Sequence, residues 1–172
     1  MINMFYCHGF ASCFDSGSQK IETLRKLGPV AGCNIDHTKT ANELVDEVMK
    51  HSQFSEIDVL IGTSMGGWLA AQIGSLAGIP FVAINPAITP ALSLKRHLGA
   101  GVDYQGKPYT LTETAVNSYK PIAKGGCGLV LLDEGDELFD AHKTRQELAG
   151  FYRVKCSRVA AIGSLIWNRR CR

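Results

Sequence analysis

Between the apolar run Ile57-Asp58-Val59-Leu60-Ile61 and an alanine-rich helical pattern stands the segment Gly62-Thr63-Ser64-Met65-Gly66-Gly67. A serine in the frame G-x-S-x-G at a strand-to-helix junction takes the chain through one very tight turn. That turn needs strained backbone angles and a close approach of helix to strand. Gly62 and Gly66, two positions either side of Ser64, have no Cβ to obstruct it. Gly67 extends the small-residue allowance where the new helix must pack on the strand. The turn leaves Ser64 above the sheet, facing the N-terminal amides and positive dipole end of the helix. Ser64 is therefore expected to be a nucleophile. An ordinary glycine-rich loop shares the composition but lacks the apolar strand before it and the helix after it.

The rest of the chain repeats this strand-then-helix rhythm. Apolar runs at residues 2–7, 30–35, 57–61, 81–84, 128–132 and 151–154 read as strands. Helical patterns cover 18–27, 65–77 and 141–148. Another opens at Thr40-Ala41-Asn42-Glu43, a capping box ahead of the stripe Leu44, Val45, Val48 and Met49. This alternation predicts an α/β fold, a three-layer sandwich whose mostly parallel sheet is covered by helices on both faces. Residues 90–121 break the rhythm. They are too long for a simple connector and rich in Tyr, Thr and Gly, with short helices expected at 92–98 and 111–116. An insertion at the C-terminal end of a strand covers the ligand crevice in such sheets, so this one is expected to be a small lid. A connecting helix with ragged ends is the plainer alternative.

With 172 residues, the chain is expected to form a single domain over 1–172 around one core. Its net charge is +2, with much of the basic excess in the last residues, so the body gives nucleic acid no electrostatic footprint. No apolar run approaches a membrane-spanning length and no secretory signal is visible, so no membrane partner is expected. The six cysteines form no C-x-x-C pair. They read as free thiols of a cytoplasmic protein, with no zinc site and no disulfide framework.

Nucleophilic serine chemistry requires an oxyanion hole, a general base and an acid that orients the base. One oxyanion amide is expected from Met65, the residue after the nucleophile. The other is expected from Phe10, in the loop His8-Gly9-Phe10-Ala11-Ser12 after the first strand. His8 is read as a hydrogen-bonded brace of that loop. The acid is expected after a late strand, where Asp133-Glu134-Gly135-Asp136-Glu137 follows Leu132. Asp136 is the first choice and Asp133 the second, against a merely solvated acidic loop. Asp140 is read as a helix cap. The base is missing: the order Ser, Asp, His needs a histidine after the last strand, and the only histidine beyond Asp136 is His142, inside a predicted helix. His37, His51 and His97 all precede the acid.

Taken together, His8-Gly9-Phe10-Ala11-Ser12 with Ser18 and Lys20, Gly62 to Gly67, Asn85-Pro86-Ala87 and Leu132 to Asp136 resemble the small esterases typified by YqiA and YcfP. These are a compact bacterial branch of the α/β-hydrolases, and the resemblance covers residues 2–155. It implies Ser64 as nucleophile, Asp136 as acid, small ester or thioester substrates and no cofactor. It also implies a Gly-Gly-x-His loop after the last strand. Residues 156–172 are instead basic, without an acidic residue, and end in an Arg/Cys cluster. Back-translated with one base restored near Lys155, their codons permit M-F-P-G-G-S-H-R-F-A-H-L-E-S-A-L-S, which contains that loop. The expectation is a frame lost from about Cys156, giving an aberrant tail and impaired turnover. A genuine partner-binding tail with an apolar part at 159–167 is the competing reading. A non-catalytic binding relative and a serine acyltransferase are the competing functions.

Overall fold

Strands such as Met4-Phe5-Tyr6-Cys7 are apolar at every position, so both of their faces must be covered. The computed structural model, which describes residues 1–135 and 140–157, covers them with helices. The chain runs β1 (Met4–Cys7), α1 (Gln19–Arg25), β2 (Val30–Gly32), α2 (Ala41–Met49), β3 (Val59–Thr63), α3 (Met65–Ala77) and β4 (Phe81–Ile84). It continues through α4 (Pro90–Ser93), β5 (Gly99–Val102), β6 (Pro108–Leu111), α5 (Glu113–Ser118), β7 (Gly128–Asp133), α6 (Ala141–Leu148) and β8 (Arg153–Ser157).

Six strands form a sheet in the order β2-β1-β3-β4-β7-β8, and every pair is parallel. From β1 the chain steps outward to β2, then returns to the other side of β1 for β3. This reversal leaves a crevice at the C-terminal ends of β1 and β3, where open parallel sheets bind ligands. Cys7 pairs with Gly62, so the loop after β1 and the turn after β3 leave the sheet side by side.

Alternation along the strands divides the core in two. Phe5, Cys7, Leu60, Phe81, Ala83, Val130 and Leu132 join the larger cluster, with Leu44 and Val48 of α2 and Trp68, Leu69 and Ile73 of α3. Met4, Tyr6, Ile61 and Ile84 face the other way, towards Ile21 of α1. There Val82 and Leu131 are only half-buried, whereas their neighbours Ala83 and Val130 on the opposite face are fully buried.

Residues 90–121 hold short helical pieces near the expected positions: α4, a 3-10 turn at Lys95–His97, and α5. They also hold an antiparallel hairpin, β5 with β6, which the sequence pattern did not announce. Gly99-Ala100-Gly101-Val102 has weak strand propensity, and β6 opens on a proline. Docking supplies what propensity lacks: Leu111 is buried, and the Tyr104 N–H donates to the Ala11 carbonyl at 3.0 Å. The last strand lies later than the pattern indicated, at Arg153–Ser157. The N–H groups of Phe151 and Tyr152 both donate to the Leu148 carbonyl and so close α6 first.

Trp68 joins the insertion to the core. Its indole N–H donates to the Lys120 carbonyl at 2.9 Å and its ring meets Tyr119 edge-on. The side chain is 1% exposed. Trp68→Ala removes this packing and the indole hydrogen bond, so it should cost about 3–5 kcal/mol in urea denaturation.

Candidate active site

Ser64 sits at φ 56°, ψ −119°, on a backbone that a residue with a Cβ rarely adopts. Three hydrogen bonds impose it. The Ser64 N–H donates to the Ile84 carbonyl at 3.0 Å, and its own carbonyl accepts from Trp68 and Ala87 N–H groups, each at 3.1 Å. The flanking glycines are a steric necessity. A Cβ on Gly62 would collide with the Gly66 carbonyl group, and one on Gly66 with the carbonyl of Cys7 at the end of β1. Pro86 closes the other side, 3.2 Å from where a Gly67 Cβ would stand. Asn85-Pro86-Ala87 thus braces the turn from the end of β4.

The loop after β1 passes directly over the serine. A Cβ on Gly9 would stand 3.5 Å from Ser64 Cβ and 4.0 Å from its Oγ. Among the described residues the Ser64 hydroxyl has no hydrogen-bond partner, and the N–H groups of Phe10 and Met65 donate to no acceptor. The Met65 amide opens the first turn of α3, where amides are unsatisfied by construction.

Two buried histidines hold this loop from below. His8 accepts the Ile35 N–H on Nε2 at 2.8 Å, so its proton is on Nδ1, 2.8 Å from the Gly9 carbonyl. His37 Nε2 lies 2.9 Å from the His8 carbonyl and must donate to it. Its Nδ1 is then a bare lone pair with no partner among the described residues. Burial pushes the His8 pKa down, and burial with His8 alongside pushes that of His37 down to about 3. Both rings are neutral at physiological pH. No sequence signal marked His37, which only the return of the chain after β2 brings beneath the loop.

The insertion holds the same loop from above. Ala11, at φ 54°, receives the Tyr104 N–H on its carbonyl. The Phe10 ring packs against His97 at 5.0 Å and against Tyr109 at 5.2 Å between centroids. A polar cleft of about 300 Å³ separates the loop from the hairpin and residues 34–38, lined by Phe10, Cys13, Asp36, Asp103, Lys107 and Tyr109 among others.

Asp133 ends β7 and is 3% exposed. One carboxylate oxygen accepts the Gly135 N–H at 2.9 Å, while the Asp133 N–H donates to Asn85 Oδ1 at 2.8 Å. Asn85 is another residue the pattern of catalytic types did not single out; it ties the end of β4 to the end of β7. Asp136 lies outside the described residues, as do residues 158–172. Asp140 caps α6, accepting the Lys143 N–H at 2.9 Å. None of the five histidines hydrogen-bonds to Ser64 among the described residues: His51 meets Phe5 edge-on and His142 belongs to α6. No cluster of metal-ligating side chains occurs among the described residues.

The model of an uncharacterised protein family, UPF0227, matches residues 3–156 of this chain. The chain belongs to that family. A UPF0227 protein of Vibrio cholerae (strain ATCC 39315 / El Tor Inaba N16961) is 30% identical over 157 residues, covering 88% of this chain and 85% of that one. Among solved structures, Est1E from Butyrivibrio proteoclasticus superposes with a TM-score of 0.65 at 14% identity, over 91% of this chain and 76% of its own. The enol-lactonase from Burkholderia xenovorans LB400 gives a TM-score of 0.62 at 15% identity, over 91% and 83%. The fold of this UPF0227 chain is that of the α/β-hydrolases, and the family resemblance drawn from its motifs is borne out.

Gly66→Ala drives a Cβ into backbone on both sides of the turn, so it should cost at least about 1–3 kcal/mol, read as a lowered urea midpoint. Acid should also weaken the fold. Both histidines have folded pKa values below the 6.5 of the unfolded chain, so stability is full above that pH and falls as the pH drops, for His37 until about 3. Urea titrations between pH 7 and 4.5 should show a slope of up to about 1.4 kcal/mol per pH unit for each histidine. His37→Gln, which retains a donor but cannot titrate, should make that slope shallower.

Proposed function

We propose that this chain derives from a serine hydrolase that cleaves carboxylic ester or acyl thioester bonds through an acyl-enzyme. The observation that carries this reading is Ser64, held at φ 56° on the strand-to-helix turn under a loop whose Phe10 amide is uncommitted. Ser64 Oγ attacks the acyl carbonyl while a histidine takes its proton. The Phe10 and Met65 amides hold the oxyanion, and the histidine returns the proton to the departing alcohol or thiol. Water, activated by the same base, then releases the acid and frees Ser64. Asp136 orients the histidine. The esterase and lactonase named above, which share the fold, support this chemistry by analogy alone.

The base belongs in the loop after β8, and we propose that a single lost base near the Lys155 codon removed it. Two observations support this. The family match ends at residue 156, one residue before β8 ends at Ser157. On the face of the sheet where α1 packs, Val82 and Leu131 remain half-buried. A helix after the restored loop would cover such apolar surface.

Resequencing across the Lys155 codon tests the frame, and an unshifted frame sinks that part of the proposal. For the chemistry, the chain as it stands should hydrolyse a short-chain chromogenic ester slowly. Triad knockouts retain roughly 10³–10⁴-fold over water. Restoring the tail should raise turnover by orders of magnitude and make Ser64 react with a fluorophosphonate probe, and Ser64→Ala should abolish both. A Ser64 still inert in the restored protein would leave a ligand-binding relative, the reading that the absent histidine otherwise favours.

A further inference from the structure

The β5–β6 hairpin has two unlike faces. In its register Gly99 pairs with Leu111 and Gly101 with Tyr109, whereas Ala100 pairs with Thr110 and Val102 with Pro108. Directly paired residues share a face. Leu111 is buried and Tyr109 packs on Phe10, so the first set turns inward onto the oxyanion loop. The second set turns outward. Ala100, Val102, Pro108 and Thr110 are all exposed and none is charged, although a solvent-facing strand surface is ordinarily polar. Among the described residues no other strand pairs with the hairpin.

Exposed apolar side chains are concentrated in this stretch of the sequence. Nine large ones are exposed among the described residues, and four of them lie between Leu92 and Tyr104: Leu92 at 65%, Leu98 at 42%, Val102 at 63% and Tyr104 at 54%. Cations bracket the patch. Lys95 and Arg96 precede β5 and Lys107 precedes β6. All three are exposed, and none forms an ion pair among the described residues. From Pro90 to Leu111 the single carboxylate is Asp103, and its Oδ1 is engaged by the Gln105 and Lys107 N–H groups.

We propose that this face docks the protein on an anionic lipid surface. Apolar side chains too few to insert deeply, ringed by unpaired cations, suit the boundary between headgroups and acyl chains. A second copy of the chain fits less well, because both ends of the hairpin carry cations and a two-fold contact through it would bring cations against cations. The absence of a spanning run in the sequence does not bear on this mode, since the hairpin lies on the surface and no helix among the described residues is long and apolar enough to cross. The inner face of the same hairpin holds Phe10, so docking would bring the oxyanion loop beneath the lipid contact. The inference stands on the hairpin alone and is independent of whether Ser64 turns over.

Flotation of the full-length protein with vesicles decides it without any activity measurement. The protein should rise with phosphatidylglycerol vesicles and not with pure phosphatidylcholine, and added salt should release it. Lys95→Glu with Arg96→Glu should lower partitioning by about 25-fold or more, at roughly fivefold per lost cation. Val102→Asp, at an exposed position, should weaken binding with an unchanged circular dichroism spectrum. Equal binding to both lipids, or none, overturns the proposal. So does binding that survives both substitutions, which would assign attachment to another segment such as the basic C-terminal residues. A concentration-dependent dimer in sedimentation velocity that Val102→Asp abolishes would make the face a self-contact instead.

Discussion

Everything at the C-terminal edge of the sheet depends on how closely the first turn of α3 approaches the ends of β1 and β3. Backbone meets backbone there: Gly66 lies against the Cys7 carbonyl and Gly62 against the Gly66 carbonyl. No side chain can separate them, so Ser64 must leave the helix axis at a positive φ and stand above the sheet. A strained residue of this kind persists only where its surroundings over-determine it. Here β4 does so, through Ile84, Pro86 and Ala87, whose groups hold Ser64 on both its N–H and its carbonyl side.

The loop facing the serine is held with comparable redundancy, by different chemistry. Below it, neutral histidines fasten successive carbonyls, and neutrality is maintained by burial rather than by a counter-charge. Above it, the insertion contributes a backbone hydrogen bond to Ala11 and two aromatic contacts to Phe10. The Phe10 N–H donates to no acceptor among the described residues, while the residues on either side of it are fixed. For the proposed reaction, such a loop would be the preorganisation that electrostatic catalysis needs. It also explains why an insertion remote in sequence bears on residue 10.

The ends of β4, β7 and β8 contrast with this. Asn85 links the ends of β4 and β7, and the Glu134 N–H donates to the Ser157 carbonyl, so the two terminal strands are tied where a carboxylate and a histidine would be presented. These ties hold the ends of β4, β7 and β8 together up to Ser157. On the α1 face, Val82 and Leu131 stay half-buried.

Residue order alone determined the strand-turn-helix at Ser64, the parallel sheet and the ends of α3 and α6, because each rests on local physics. Glycine spacing sets the turn, apolar runs need two-sided cover, and a carboxylate caps α6 at Asp140. The loop around Phe10 was legible as an oxyanion candidate from its place after the first strand. Its supports were not legible: His37 and Tyr104 are 27 and 94 residues away, and nothing in their own neighbourhoods marks them. The β5–β6 hairpin was equally silent, since two glycines and a proline weaken every local strand signal and docking through Leu111, Tyr104 and Tyr109 stabilises it. Which of its faces is apolar and exposed is a matter of register, and register is decided by what the other face can bury.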